Sequence, residues 1–192
     1  MASRQILASA HDLELAALVR AGDRAAFGEL VRRHGSAVRA LLRRIGADSS
    51  TTDDVAQDAF LAAFEQIADF RGEGSFQSWV KRIAARAYVK RWRRQGRAPD
   101  PDPGDEADAS PAAAESGAAM RIDLDEALKS LSESERLCVS LCYGAGLSHG
   151  EAALALNAPL GTVKSHVKRG LDKLRHRLSP DSDDSHRRQV NG

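Results

Sequence analysis

The 192 residues carry 28 Lys and Arg against 27 Asp and Glu, with 42% hydrophobic and 29% charged side chains, the composition of a soluble globular chain rather than a disordered one. Aromatics are only 5%, and abundant Ala, Leu and Arg favour helix over sheet, so an all-α fold is expected. No apolar run approaches bilayer length, and the first ten residues hold no long apolar core; neither a membrane span nor a signal peptide is expected, and the expected location is the cytoplasm.

The N-terminal half reads as helices in series. Leu13, Ala16, Ala17 and Val19 begin one that ends near Gly22. Asp23 caps the next, with Ala26, Phe27, Leu30, Val31 and His34 on one stripe. A further helix runs through Val38, Leu41, Leu42 and Ile45 and stops at Gly46. Thr52 or Asp53 is placed to cap a helix from Asp54 to Ile67. Phe70 to Phe76, with two glycines, reads as a loop, and Ser75 or Gln77 starts a basic helix through Trp79, Val80, Ile83, Tyr88 and Trp92. From Gly96 to Gly117 four prolines, several acids and almost no large apolar residues predict a segment that is disordered in isolation. Beyond it Ile122, Leu124, Ala127, Leu128 and Leu131 mark a helix. Ser132 with Glu135 forms a capping box for another, running to Tyr143, and Ser148 caps a short one. A turn at Asn157 to Gly161 precedes a last helix opened by Thr162. The predicted organisation is two small helical domains, 12–95 and 120–178, joined by an acidic Pro-rich linker over 96–119 and followed by a disordered tail over 179–192.

The near-neutral total hides alternation. Asp48 to Asp69 holds six acids and no Lys or Arg, Arg71 to Arg94 eight Lys or Arg and one acid, Gln95 to Met120 six acids and one Arg, and Gly161 to Leu178 six Lys or Arg and one acid. Two separate basic segments suggest two contacts with a polyanion. The last two helices have the size and turn of a helix-turn-helix, whose second helix enters the major groove N-terminus first. Val163, Val167, Leu171 and Leu174 would face the core. That leaves Thr162, Lys164, Ser165, His166, Lys168 and Arg169 for DNA, types that reach phosphates and base edges.

The segment GTVKSHVKRGLDKLRHRL resembles the recognition helix of two families, the fourth conserved region of sigma factors and the LuxR-type response regulators. His166 stands where the second family often carries His. The N-terminal half separates them. AFGELVRRHG, DDVAQDAFLAAF and FRGEGSFQSWVKRIAARAYVKRWRR resemble the second conserved region of extracytoplasmic-function (ECF) sigma factors, which a LuxR-type regulator would lack. The resemblance implies a factor that binds core RNA polymerase, directs it to promoters and helps open DNA; the alternative is a LuxR-like regulator acting without joining the polymerase. A nucleic-acid enzyme, the third reading, lacks a clustered acid or metal motif.

The resemblance also implies site residues. Asp53, Asp54, Gln57 and Asp58, with Phe60 and Leu61, would dock on the polymerase. Arg71, Gly72, Gly74, Ser75 and Gln77, with Lys81, Arg82, Arg86, Lys90, Arg93 and Arg94, would hold the −10 element, where a flipped base needs a pocket. Phe76, Tyr88 and Trp92 are possible stacking groups, although Phe76 and Trp79 read better as core. Many family members carry Asn at Arg86 and Asp at Lys90, so the base preference here is open. The acidic linker would thread the polymerase channels, and an anti-sigma protein is an implied partner. No cofactor, metal site or catalytic residue is expected. Cys138 and Cys142, too few for a disulfide framework, read as core residues.

Overall fold

The computed structural model describes residues 7–100 and 118–178; the tail 179–192 and the linker stretch 101–117, both expected to lack regular structure, lie outside the described residues. Its helices are α1 (Asp12–Arg20), α2 (Arg24–Ile45), α3 (Ser49–Glu65), α4 (Phe76–Arg94), α5 (Ala118–Lys129), α6 (Glu133–Val139), α7 (His149–Leu156) and α8 (Leu160–Leu178), with a single 3-10 turn at Ile67–Asp69 and a π-helical turn at Ser140–Gly144. Among the described residues there is no strand. The all-α reading therefore holds. The chain forms two compact units, one built on Met1–Arg97 with Gly144–Gly146 and the other on Ala98–Tyr143 and Leu147–Gly192.

In the first unit α2, α3 and α4 pack on one another and α1 packs on α2. The core is Leu15 from α1, Leu30, Val38, Leu42 and Ile45 from α2, Val55 and Ala59 from α3, and Phe76, Val80, Ala84 and Val89 from α4. Three boundaries differ from the sequence reading, the first being the end of α3 at Glu65, with Ile67 in the 3-10 turn rather than in the helix. Residues 24–45 form one helix rather than two, capped by Asp23, whose side chain accepts from the Ala25 and Ala26 amides. The Gly35 inside it is buried, and the apolar stripe on both sides outweighs the roughly 1 kcal/mol that a helical glycine costs. α3 is capped by Asp48, which accepts from the Thr51 amide, so Thr52 is an interior, buried residue rather than a cap.

Arg33 ties the N-terminal segment down. Its guanidinium donates to the carbonyls of Leu7, Ala8 and Ala10 at 2.8–2.9 Å, to Asp12 at 3.0 Å and to Glu29 at 2.8 Å. Hydrogen bonds from Arg32 and Arg33 hold the Glu29 carboxyl at about 2 against an ordinary 4.5.

In the second unit α8 packs against α5, α6 and α7. Ala127, Leu128, Leu131, Val139 and Leu174 form its core cluster, with Leu124 and Leu171 against it. Gly170 lets α8 approach α6: a Cβ there would stand 2.7 Å from Val139 Cγ2. The capping box read at Ser132 with Glu135 is present, and Ser148, read as a simple cap, forms a second box with Glu151. The helix after Ser132 ends earlier than its periodicity suggests, passing into the π turn at Ser140, and α8 begins two residues before Thr162.

Candidate polymerase and DNA interfaces

α3 divides cleanly into two faces. Thr52, Val55, Ala56, Ala59, Phe60 and Ala63 are buried, while Asp53, Asp54, Gln57, Asp58 and Leu61 are exposed. Leu61 is 56% exposed, a large apolar side chain among carboxylates, the composition of an interface anchor with a polar rim. Phe60 is a correction to the predicted set: it faces inward, edge-on to Phe27 at 6.5 Å. The outward aromatic is Phe64, three residues after Leu61 and so on the same face, a spacing that the sequence displays. Two of the carboxylates have partners, Asp53 with Arg39 at 2.8 Å and Asp54 with Arg91 at 3.3 Å.

The loop before α4 is pinned from α1. Arg20 donates to the Phe70 carbonyl at 3.2 Å. Gly72, at φ 79°, lies so near Leu13 that a Cβ would meet its Cδ2 at 2.6 Å. Left-handed backbone and close approach both require glycine there. Gly74 is also left-handed. Ser75 caps α4 by accepting from the Ser78 amide at 3.1 Å, so the start of the basic helix is Ser75 and not Gln77, which is half-buried. Arg71 is exposed.

Along α4 the exposed cations Arg82, Arg86, Lys90, Arg93 and Arg94 repeat at three- and four-residue steps, one row about 18 Å long at 1.5 Å per residue. Lys81 stands apart. It is half-buried, and burial, then the nearby Arg44, lowers its pKa. Phe76, Tyr88 and Trp92, the possible stacking groups of the sequence, are all buried; they hold α4 to its unit. Phe76 stacks edge-on to Phe70 at 5.4 Å and lies 5.5 Å from Trp79. Trp79 keeps part of its surface exposed.

On α8 the inward set is Val163, Val167, Gly170 and Leu174, in the predicted register. Of the six residues expected at DNA, Arg169 is exposed and Thr162, Lys164 and Lys168 are half-buried. Ser165 and His166 are buried, at 7% and 3% exposure. This corrects the expectation that both are available, and both ring nitrogens of His166 are engaged within the unit. Its Nε2 is 3.0 Å from the Asp100 carbonyl, and its Nδ1 is 3.2 Å from Arg169 Nη2. Behind them sits Glu135, buried, with Lys173 Nζ 2.7 Å from both of its oxygens and Arg169 Nε at 4.0 Å. Burial pushes the Glu135 pKa up; Lys173, the Ser132 amide and Arg169 outweigh it, and the net shift is down.

Cys138 and Cys142 are buried and unbridged. Burial pushes both thiols up to about 12, which leaves them protonated and unreactive.

Two family models match this chain: Sigma-70 region 2 over residues 30–98 and Sigma-70, region 4 over residues 127–176. The ECF RNA polymerase sigma-E factor of Escherichia coli K12 is 32% identical over 185 residues, covering 88% of this chain and 95% of that one. The chain belongs to the ECF sigma factors. The ECF sigma factor SigE of Mycolicibacterium smegmatis is likewise 32% identical, over 85% of this chain and 67% of its own length. The solved structure of CnrH in complex with the cytosolic domain of CnrY aligns with a TM-score of 0.51 and 29% identity, covering 90% of this chain and 98% of CnrH. The region 2 match covers most of α2 and all of α3 and α4 of this sigma factor. Among the described residues no helix is long and apolar enough to cross a membrane.

Proposed function

We propose that this sigma factor docks on core RNA polymerase through the exposed face of α3, holds the −10 element on the Arg71–Ser75 loop and α4, and reads the −35 element with the N-terminal half of α8. The observation that carries the reading is the pairing of one continuous basic row on α4 with a helix-turn-helix on the same chain. Leu61 and Phe64 are the apolar anchors for polymerase, ringed by Asp53, Asp54, Gln57 and Asp58. Arg82, Arg86, Lys90, Arg93 and Arg94 neutralise phosphates beside the melted strand. Arg71, Gly72, Gly74, Ser75 and Gln77 shape the loop at which a flipped base is received, and Trp79 is the aromatic with surface to offer it. Lys81, half-withdrawn, contributes field more than contact. Thr162, Lys164, Lys168 and Arg169 meet the −35 duplex. The acidic linker over 96–119 threads the polymerase channels in place of nucleic acid. The protein performs no catalysis of its own and acts in the cytoplasm, where core polymerase is. An anti-sigma protein covers these faces when the factor is off; CnrH, solved with the cytosolic domain of CnrY, supports a protein partner of that kind.

The polymerase face is tested by co-purification with core enzyme. Leu61→Glu with Phe64→Glu should abolish capture while helical content is retained. Undiminished capture would move the docking face off α3.

A further inference from the structure

Ser165 lies two residues from Val163, about 200° around the helix and so away from the core, yet it is 7% exposed. His166, the next residue, is 3% exposed, and the start of the linker is seated on it. The Asp100 amide donates to Ser134 Oγ at 3.1 Å, Ser134 Oγ donates to Asp100 Oδ2 at 3.0 Å, and the Asp100 carbonyl accepts from His166 Nε2 at 3.0 Å. A neutral imidazole with its proton on Nε2 satisfies both ring atoms, since Nδ1 is then an acceptor for Arg169. A chain of contacts thus runs from Asp100 through His166 to Arg169 and on to Glu135. It passes through Arg169, a cation that is expected to meet DNA.

We propose that residues 98–100 are a latch: by seating Asp100 on Ser134 and His166, the start of the linker holds α8 in a state that disfavours DNA, until polymerase takes up the linker and draws Asp100 away. This rests on α8 being the DNA-reading helix. Three features suit a latch. The Arg169 guanidinium is engaged by His166. The Asp100 carboxylate places negative charge beside a helix that must approach phosphates. Asp100 itself is exposed, so the hold depends on a few atoms at the rim and can be released without unfolding the unit. Linker uptake and DNA binding are then coupled, each favouring the other.

Ser134→Ala removes both side-chain anchors, and Asp100→Ala removes the carboxylate; neither residue is placed at DNA. The probe is a fluorescein-labelled pool of short duplexes of randomised sequence, titrated with the free full-length chain and read by anisotropy. Each variant should tighten binding about fivefold, the gain from restoring a competent state depleted by one or two hydrogen bonds. Adding Lys164→Ala, Lys168→Ala and Arg169→Ala should erase that gain. Unchanged affinity in both latch variants, with the triple substitution still weakening the wild type, would overturn the latch and leave the DNA reading standing. No effect of the triple substitution would overturn both. Amide exchange supplies a readout without DNA: the Asp100 amide should be protected in the wild type and lose protection in Ser134→Ala. Exchange of that amide at the rate of unstructured chain in the wild type would contradict the proposal directly.

Discussion

α4 and α8 are both basic helices nineteen residues long, and they differ in what stands around their cations. On α4 the row Arg82, Arg86, Lys90, Arg93 and Arg94 is exposed, and the aromatic residues Phe76, Tyr88 and Trp92 are spent on the core. Beside α8 the buried Glu135 of α6 binds Lys173 and draws Arg169, while Asp100 sits on His166. Cations of the same type thus line one exposed row on α4 and gather at a buried carboxylate beside α8. Sequence counts both as positive charge; the positions of the carboxylates and of the linker decide which of it faces outward.

The largest expected effect separates core from contact on α4. Phe76→Ala should destabilise the N-terminal unit by about 3–5 kcal/mol, the range for truncating a buried aromatic, seen as a lowered urea midpoint. Arg86→Ala with Lys90→Ala should leave that midpoint in place and lower transcription instead. A Phe76→Ala protein of wild-type stability would make Phe76 a stacking group again.

Next comes the salt dependence of promoter binding by the polymerase complex. Removing Lys164, Lys168 and Arg169 should lower the slope of log K against log salt by roughly 0.9 for each phosphate no longer neutralised. Lys173→Ala should lower it less, because Lys173 already serves Glu135. Equal reductions would mean that the engagement around Glu135 does not matter to DNA.

Much of this is legible in the sequence. The Asp23 cap, the Ser132 capping box, the Ser148 cap and the inward register of Val163, Val167 and Leu174 follow from local rules, and local rules survive into the fold. The acidic face of α3 and the basic row of α4 are legible as helical spacing. Phe60 turns inward although the resemblance implies an anchor, because which residues at the edge of a helical face are buried is settled by the neighbouring helices; Phe27 packs edge-on to both Phe60 and Phe64, and Phe64 keeps the more exposed position. The seating of His166 against the Asp100 carbonyl is not legible, because the two residues are 66 positions apart. The joining of residues 24–45 into one helix is likewise tertiary, since packing along the stripe overrides the helix-weakening effect of Gly35.

A smaller effect concerns Glu29. Its carboxyl is lowered to about 2 from 4.5 by Arg32 and Arg33, so its contribution to stability is full above the unfolded value and is lost as pH falls through the folded one. The difference in urea midpoint between wild type and Glu29→Gln should be constant above about pH 4.5 and shrink toward pH 2. A difference already gone near pH 4 would show that the pair is weaker than its geometry. The smallest effect is at the cysteines. Their thiols, pushed up to about 12, should react with a disulfide reagent only on unfolding, and Cys142→Ala should transcribe as the wild type does.

The central claim is that the two basic elements work together only on polymerase. Run-off transcription with purified bacterial core enzyme, on a pool of genomic promoter fragments, tests it most directly. Discrete start sites that appear only when this protein is added are the predicted result. No binding to core and no initiation, with sequence-specific DNA binding by the protein alone, would contradict it.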